Sequence, residues 1–160
     1  MFCYISIYST IIGKVTIWRS FIEQESQGAG TLIRYVLAWV AMLVIAFANG
    51  ALRQATFAKI MPELRAHQLS TLIGSVLIGV FIWFYIRTWP PSSGHQALLI
   101  GLFWLVLTVA FEFILGVVLL HRSLAQALQD YNLFAGRVWV LFLIWLAIAP
   151  WVFFRLRGPD

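Results

Sequence analysis

Four long apolar runs divide the chain, at 35–52, 69–86, 97–120 and 138–154. Tyr35 to Leu52 lies between Arg34 and Arg53, and Leu69 to Ile86 ends at Arg87. Ala97 to Leu120 ends at His121 and Arg122, and Val138 to Phe154 lies between Arg137 and Arg155. At 1.5 Å rise per residue, a helix of each length comes close to the hydrocarbon thickness of a bilayer, about 30 Å. Backbone N–H and C=O groups find no water inside lipid, so such runs predict helices, which satisfy those groups internally. Alternation with a period of two is absent, so barrel strands are not expected.

The stretches between the runs are short. Thr88-Trp89-Pro90-Pro91-Ser92-Ser93-Gly94-His95-Gln96 predicts a stop and turn between the second and third helices. Arg53 to Gln68, with Pro62 inside it, reads as the first linker. His121 to Arg137 reads as the third, and within it 123–130 (SLAQALQD) predicts a short amphipathic helix at the interface. Short connections make neighbours antiparallel, so the expected fold is all-α, an integral membrane up-down four-helix bundle over residues 32–157. No internal duplication is visible, which speaks against an inverted-repeat transporter. Ahead of the bundle, Phe2 to Gly13 is apolar but too short to span, and it lacks the basic start and small-residue exit of a signal peptide. Residues 1–31 are therefore expected to be an interfacial or disordered extension.

Composition strengthens this picture. The 160 residues are 62% hydrophobic and 11% charged, against about 45–50% and 25% in soluble domains. A small soluble domain has too little interior to hide that much apolar surface. The net charge of +5 comes from cations scattered singly, nine of them arginine. No basic stripe follows a phosphate backbone, so no nucleic-acid partner is expected. Loop cations divide almost evenly between the two membrane sides and set no orientation. One cysteine, Cys3, leaves no CxxC pair for thiol redox chemistry.

The candidate chemistry centres on Glu112, the one acid inside an apolar run. It lies eight residues before Leu120, about 12 Å below that end of the run. A charge at mid-span costs about 2.5–3.5 kcal/mol on insertion scales, so it is expected to face the bundle interior and find a partner. Gly101, Leu105, Thr108, Glu112 and Gly116 recur every three to four residues, which predicts one packing stripe. The same membrane side gathers Asn49, Arg53, Glu63, His67, Asp130, Tyr131 and Arg137. These residues predict a polar network: Glu112 with Arg53 or Arg137, bridged by Asn49, Thr108 or Tyr131, with His67 and Asp130 nearby. Such a network either fixes helix register or forms a site for substrate, proton or lipid headgroup.

Other features point to packing. Thr71, Ser75 and Gly79 form a small-residue stripe rather than a catalytic serine elbow. His67, His95 and His121 fall outside the apolar runs, so no haem is expected. His67, His121, Glu63 and Asp130 match no metal-ligand spacing, so no metal is expected either. The tryptophans read as interface belt and bundle packing, and Pro150 as a kink or end of the last helix.

Ala48-Asn49-Gly50-Ala51-Leu52-Arg53, Phe111-Glu112-Phe113, Asp130-Tyr131-Asn132, Gly136-Arg137-Val138-Trp139 and Ala149-Pro150 together carry a resemblance. From about Arg34 to Arg157 the chain resembles an uncharacterised family of small bacterial four-span inner-membrane proteins. The resemblance implies a bacterial inner (plasma) membrane location and supplies no activity. Three functions stay open. The first is a non-enzymatic structural or accessory bundle without cofactor, acting on membrane lipid, other membrane proteins or a second copy of itself. The second is a small proton-coupled transporter using Glu112. The third, ranked last, is an enzyme acting on lipid headgroups through Glu112, Asp130, His67 and the arginines.

Overall fold

The computed structural model describes residues 30–119, 121 and 138–158. Four helices in it are long and apolar enough to cross a membrane. They are α1 (Gly30–Ile60), α2 (Glu63–Thr88), α3 (Gly94–Phe113) and α4 (Trp139–Leu156). No strand occurs among the described residues. The chain is an all-α, multi-pass membrane protein with the expected up-down bundle. Residues from Ala38 onward form one compact unit and build the bundle; Gly30 to Leu37 belongs to a separate unit and is helical, with Leu32, Ile33 and Leu37 exposed. Of the predicted extension, residues 1–29 lie outside the described residues, while Gly30 and Thr31 are already helical. The predicted interfacial helix at 123–130 also lies outside them.

The helices run past the apolar runs that announce them. α1 continues beyond Arg53 to Ile60, with a turn at Thr56 whose hydroxyl donates to the Leu52 carbonyl at 2.6 Å. α2 starts at Glu63, directly after Pro62, whose carbonyl accepts from Ala66 N–H at 3.0 Å. The expected linker 53–68 is thus mostly helix, and His67 sits one turn inside α2. Hydropathy falls there, but the backbone bonds that define a helix do not need apolar side chains. The turn before α3 follows its sequence closely. Ser93 caps the helix by accepting from Gln96 N–H at 3.1 Å, and the Gln96 Oε1 accepts from Ser92 N–H at 2.6 Å. Ser93 thus caps the helix directly after Pro90-Pro91 and Ser92, with the Gln96 side chain folded back over the turn. Beyond Phe113 the helix widens into π-helical turns over Ile114–Leu119. α4 passes through Pro150, fully buried, and ends at Leu156. The proline therefore does not terminate the helix, although it removes the donor for the Leu146 carbonyl.

α4 packs more extensively on α3 than on α2. The α3–α4 contact is unusually close. A Cβ placed on Gly101 would stand 2.0 Å from the Ala147 carbonyl oxygen. The Gly101 Cα therefore approaches that oxygen to about 3.5 Å or less, in the range of a Cα–H···O contact. Against α2, Gly79 receives the Trp145 indole, whose ring would lie 3.1 Å from an added Cβ, and Trp145 Nε1 donates to the Ser75 carbonyl at 3.2 Å. The Ser75–Gly79 stripe is accordingly a helix-packing surface. Trp104, Ile82 and Ile86 are fully buried, and Tyr85 meets Trp104 edge-on at 5.7 Å, closing the core toward the α2–α3 turn. At that same end Arg87 lies over Trp83 and Arg155 over Trp151, pairs suited to a membrane interface.

Candidate functional site

Among the described residues, the polar side chains meet in layers. Nearest the α1–α2 turn, Arg53 Nη1 lies 2.8 Å from His67 Nδ1. A guanidinium has only donors, so Nδ1 is the acceptor and the imidazole is the neutral Nε2–H form. One turn deeper, Asn49 Nδ2 donates to the Ser70 carbonyl at 2.8 Å and to Ser70 Oγ at 3.1 Å. Gly74 makes room for this clasp, since a Cβ there would stand 2.9 Å from Asn49 Nδ2. The Asn49 Oδ1 is buried and has no hydrogen-bond partner among the described residues. Between α3 and α4, Trp139 Nε1, on the first residue of α4, donates to Glu112 Oε2 at 2.9 Å. Further in, Trp39 Nε1 donates to Thr108 Oγ1 at 3.1 Å, and that hydroxyl donates on to the Trp104 carbonyl at 2.8 Å.

These bonds join the helices in pairs. Asn49 clasps α1 to α2 through Ser70, and Thr108 joins α1 to α3 through Trp39. Neither bond runs to Glu112. Arg53 engages His67, and the described partner of Glu112 is an indole. Arg137, Asp130 and Tyr131 lie outside the described residues. The tryptophan donors were missed because a tryptophan among apolar residues reads as packing or belt. The available signal was position: Trp139 opens the last helix on the membrane side toward which Glu112 lies. Of the predicted α3 stripe, Gly101 is buried against α4 and Thr108 and Glu112 are half-buried. Gly116, in contrast, would meet nothing within 4 Å if given a Cβ. It lies in the π-helical segment, whose wider turn takes following residues off the α-helical stripe.

The layers border a cavity of about 460 Å³, within the size range of small-molecule sites. On α1 its lining runs from Trp39 through Met42, Ala46 and Gly50 to Arg53 and Gln54, at the three- and four-residue spacing of one helix face. The opposite wall comes from α3 and α4, including Phe111, Glu112, Trp139 and Leu146. Phe111 is held edge-on by Trp39 at 5.8 Å and by Phe47 at 6.1 Å. A second cavity of about 250 Å³ adds Asn49, His67, Ser70 and Thr71 and shares Arg53, Glu112 and Trp139. The lining is apolar and aromatic, with a few convergent polar groups and one arginine near an end. Among the described residues, no three His, Cys, Asp or Glu side chains gather closely enough to hold a metal ion.

Comparisons with family models, curated proteins and solved structures find no match to this chain. The functional reading therefore rests on the geometry and on the sequence.

Proposed function

We propose that the chain is a non-catalytic protein of the bacterial inner membrane, a four-helix bundle that acts through contacts with lipid and with neighbouring helices. One observation carries this reading. Only 11% and 17% of the residues in the apolar windows of α1 and α3 are buried, against 39% and 33% for α2 and α4. Val44 on α1 is 63% exposed and Val106 on α3 is 64% exposed. Surfaces this apolar are covered by lipid or by another helix, and they are the chain's main means of interaction. The resemblance of the Ala48–Arg53 and Phe111–Phe113 segments to the four-span bacterial family supports the location.

A second reading, a small proton-coupled carrier, draws on Glu112 standing at a cavity wall inside the membrane. One comparison separates the two. Full-length protein and its Glu112→Gln variant are reconstituted in vesicles for proton flux and unfolded in detergent for stability. The bundle reading expects no flux above protein-free vesicles in either, with any effect of the substitution confined to stability. Flux in the parent that vanishes in a folded Glu112→Gln variant establishes the carrier instead.

A further inference from the structure

With the bundle taken, as above, to act through lipid contacts, we propose that the groove along α1 seats one hydrocarbon chain of an anionic phospholipid, its phosphate held at Arg53. The groove has the form of a chain site. Its α1 wall from Trp39 to Gln54 advances about 22 Å, longer than the half-thickness of about 15 Å that one leaflet's chains occupy. Its deep part is hydrocarbon and aromatic, with Trp39, Met42 and Leu146 as walls. It also communicates with the outside of the bundle, because three lining residues of α1, Phe47, Ala51 and Gln54, are exposed. A chain can therefore enter sideways from the bilayer.

The charge at the groove end selects the headgroup. An amphiphile in such a groove must leave its head at the end nearest the membrane surface. That end carries Arg53 and Gln54, about two turns before α1 ends at Ile60. The described partner of Arg53 is a neutral imidazole acceptor, so that bond orients the guanidinium without neutralising it. A half-buried cation fixed at the headgroup level is suited to phosphate, to which arginine presents several N–H donors. Glu112 stands on the far wall with the Trp139 indole N–H on its Oε2.

Gly50 provides the test. It lines the groove, and a Cβ placed on it meets nothing within 4 Å. Gly50→Leu should therefore fill the groove without striking the protein, with Ala51→Leu as a second plug. Full-length protein is placed in phosphatidylcholine nanodiscs containing phosphatidylglycerol with a photoreactive group on one chain, and the cross-links are mapped. Native mass spectrometry from detergent measures retention of phosphatidylglycerol and phosphatidylcholine. The expected result is cross-linking at groove residues such as Leu43 and Leu115, lost in the plugged variants, whose helicity stays unchanged. Phosphatidylglycerol should be retained about tenfold better than phosphatidylcholine, with Arg53→Gln abolishing the preference and Arg53→Lys keeping most of it. Cross-links only at outward positions such as Val44 and Val106, equal in plugged and parent protein, overturn the groove while leaving general lipid contact intact. Equal retention of the two lipids, or a preference indifferent to Arg53→Gln, overturns the headgroup assignment. Tighter retention of an alkyltrimethylammonium probe, lost in Glu112→Gln, shows a cationic occupant and also overturns it. Glu112-dependent proton flux would instead defeat the underlying non-transport reading.

Discussion

The contact between α3 and α4 at Gly101 offers the sharpest test of the packing. In Gly101→Ala the new Cβ would stand 2.0 Å from the Ala147 carbonyl oxygen, about 1.4 Å inside the 3.4 Å at which ordinary contact begins. The obstacle is backbone rather than a movable side chain, so the helices must separate. Overpacking of this kind costs about 1–3 kcal/mol, and the Cα–H···O contact worth about 0.5–1 kcal/mol is lost as well. Alanine's better helix propensity returns about 1 kcal/mol. The net expectation is a loss of about 0.5–3 kcal/mol, larger for Gly101→Val. The assay is equilibrium unfolding in mixed micelles, with Gly50→Ala as control, because a Cβ at Gly50 meets nothing within 4 Å. The control should be neutral or slightly stabilising. Gly101→Ala as stable as the parent, or Gly50→Ala the more damaging of the two, would refute the close approach.

Other outcomes follow from the polar layers. Asn49→Ala removes both bonds to Ser70 and should cost about 1–2 kcal/mol in the same unfolding assay; no loss would mean that the clasp does not hold α1 to α2. Gly74→Ala should disturb the same clasp, so combining it with Asn49→Ala should cost less than the sum of the two single losses. A fully additive double-mutant cycle would contradict their contact. Trp139→Phe removes the donor to Glu112 Oε2 and should destabilise by about 1.5–3 kcal/mol, whereas Glu112→Gln keeps an acceptor for the indole and should lose less. The reverse order, measured by thermal unfolding in detergent, would show that the indole bond is not the main described support of Glu112.

The number of helices and their order were legible because lipid demands long apolar segments with internally bonded backbones, and the runs are written plainly in the sequence. The helix ends were not legible from the same signal. Arg53 and His67 belong to helices that outlast the apolar runs, since hydropathy records burial in lipid rather than backbone conformation. Asn49, Arg53 and Glu112 line one cavity, with Asn49 bonded to Ser70 and Arg53 to His67, pairings the sequence did not single out. Side chains one turn apart on neighbouring helices can pair in several registers. The choice here fell to Ser70, Trp39 and Trp139, residues that pattern alone assigns to packing. Gly101 and Gly116 share the stripe spacing yet differ in outcome, because the π-helical segment after Phe113 has no pattern in Ile114–Leu119 that announces it.

The central claim is that all four helices cross a bilayer with these faces turned outward. Spin labels at Val44, Val76, Val106 and Ile144, one outward position per helix, and at Ala38, Ile82, Ile100 and Leu143, one inward position per helix, test it directly. Measured in nanodiscs, the outward labels should be open to oxygen and closed to a water-soluble nickel reagent, and the inward labels closed to both. Nickel access at any outward position, or oxygen access that fails to separate the two sets, would contradict the account.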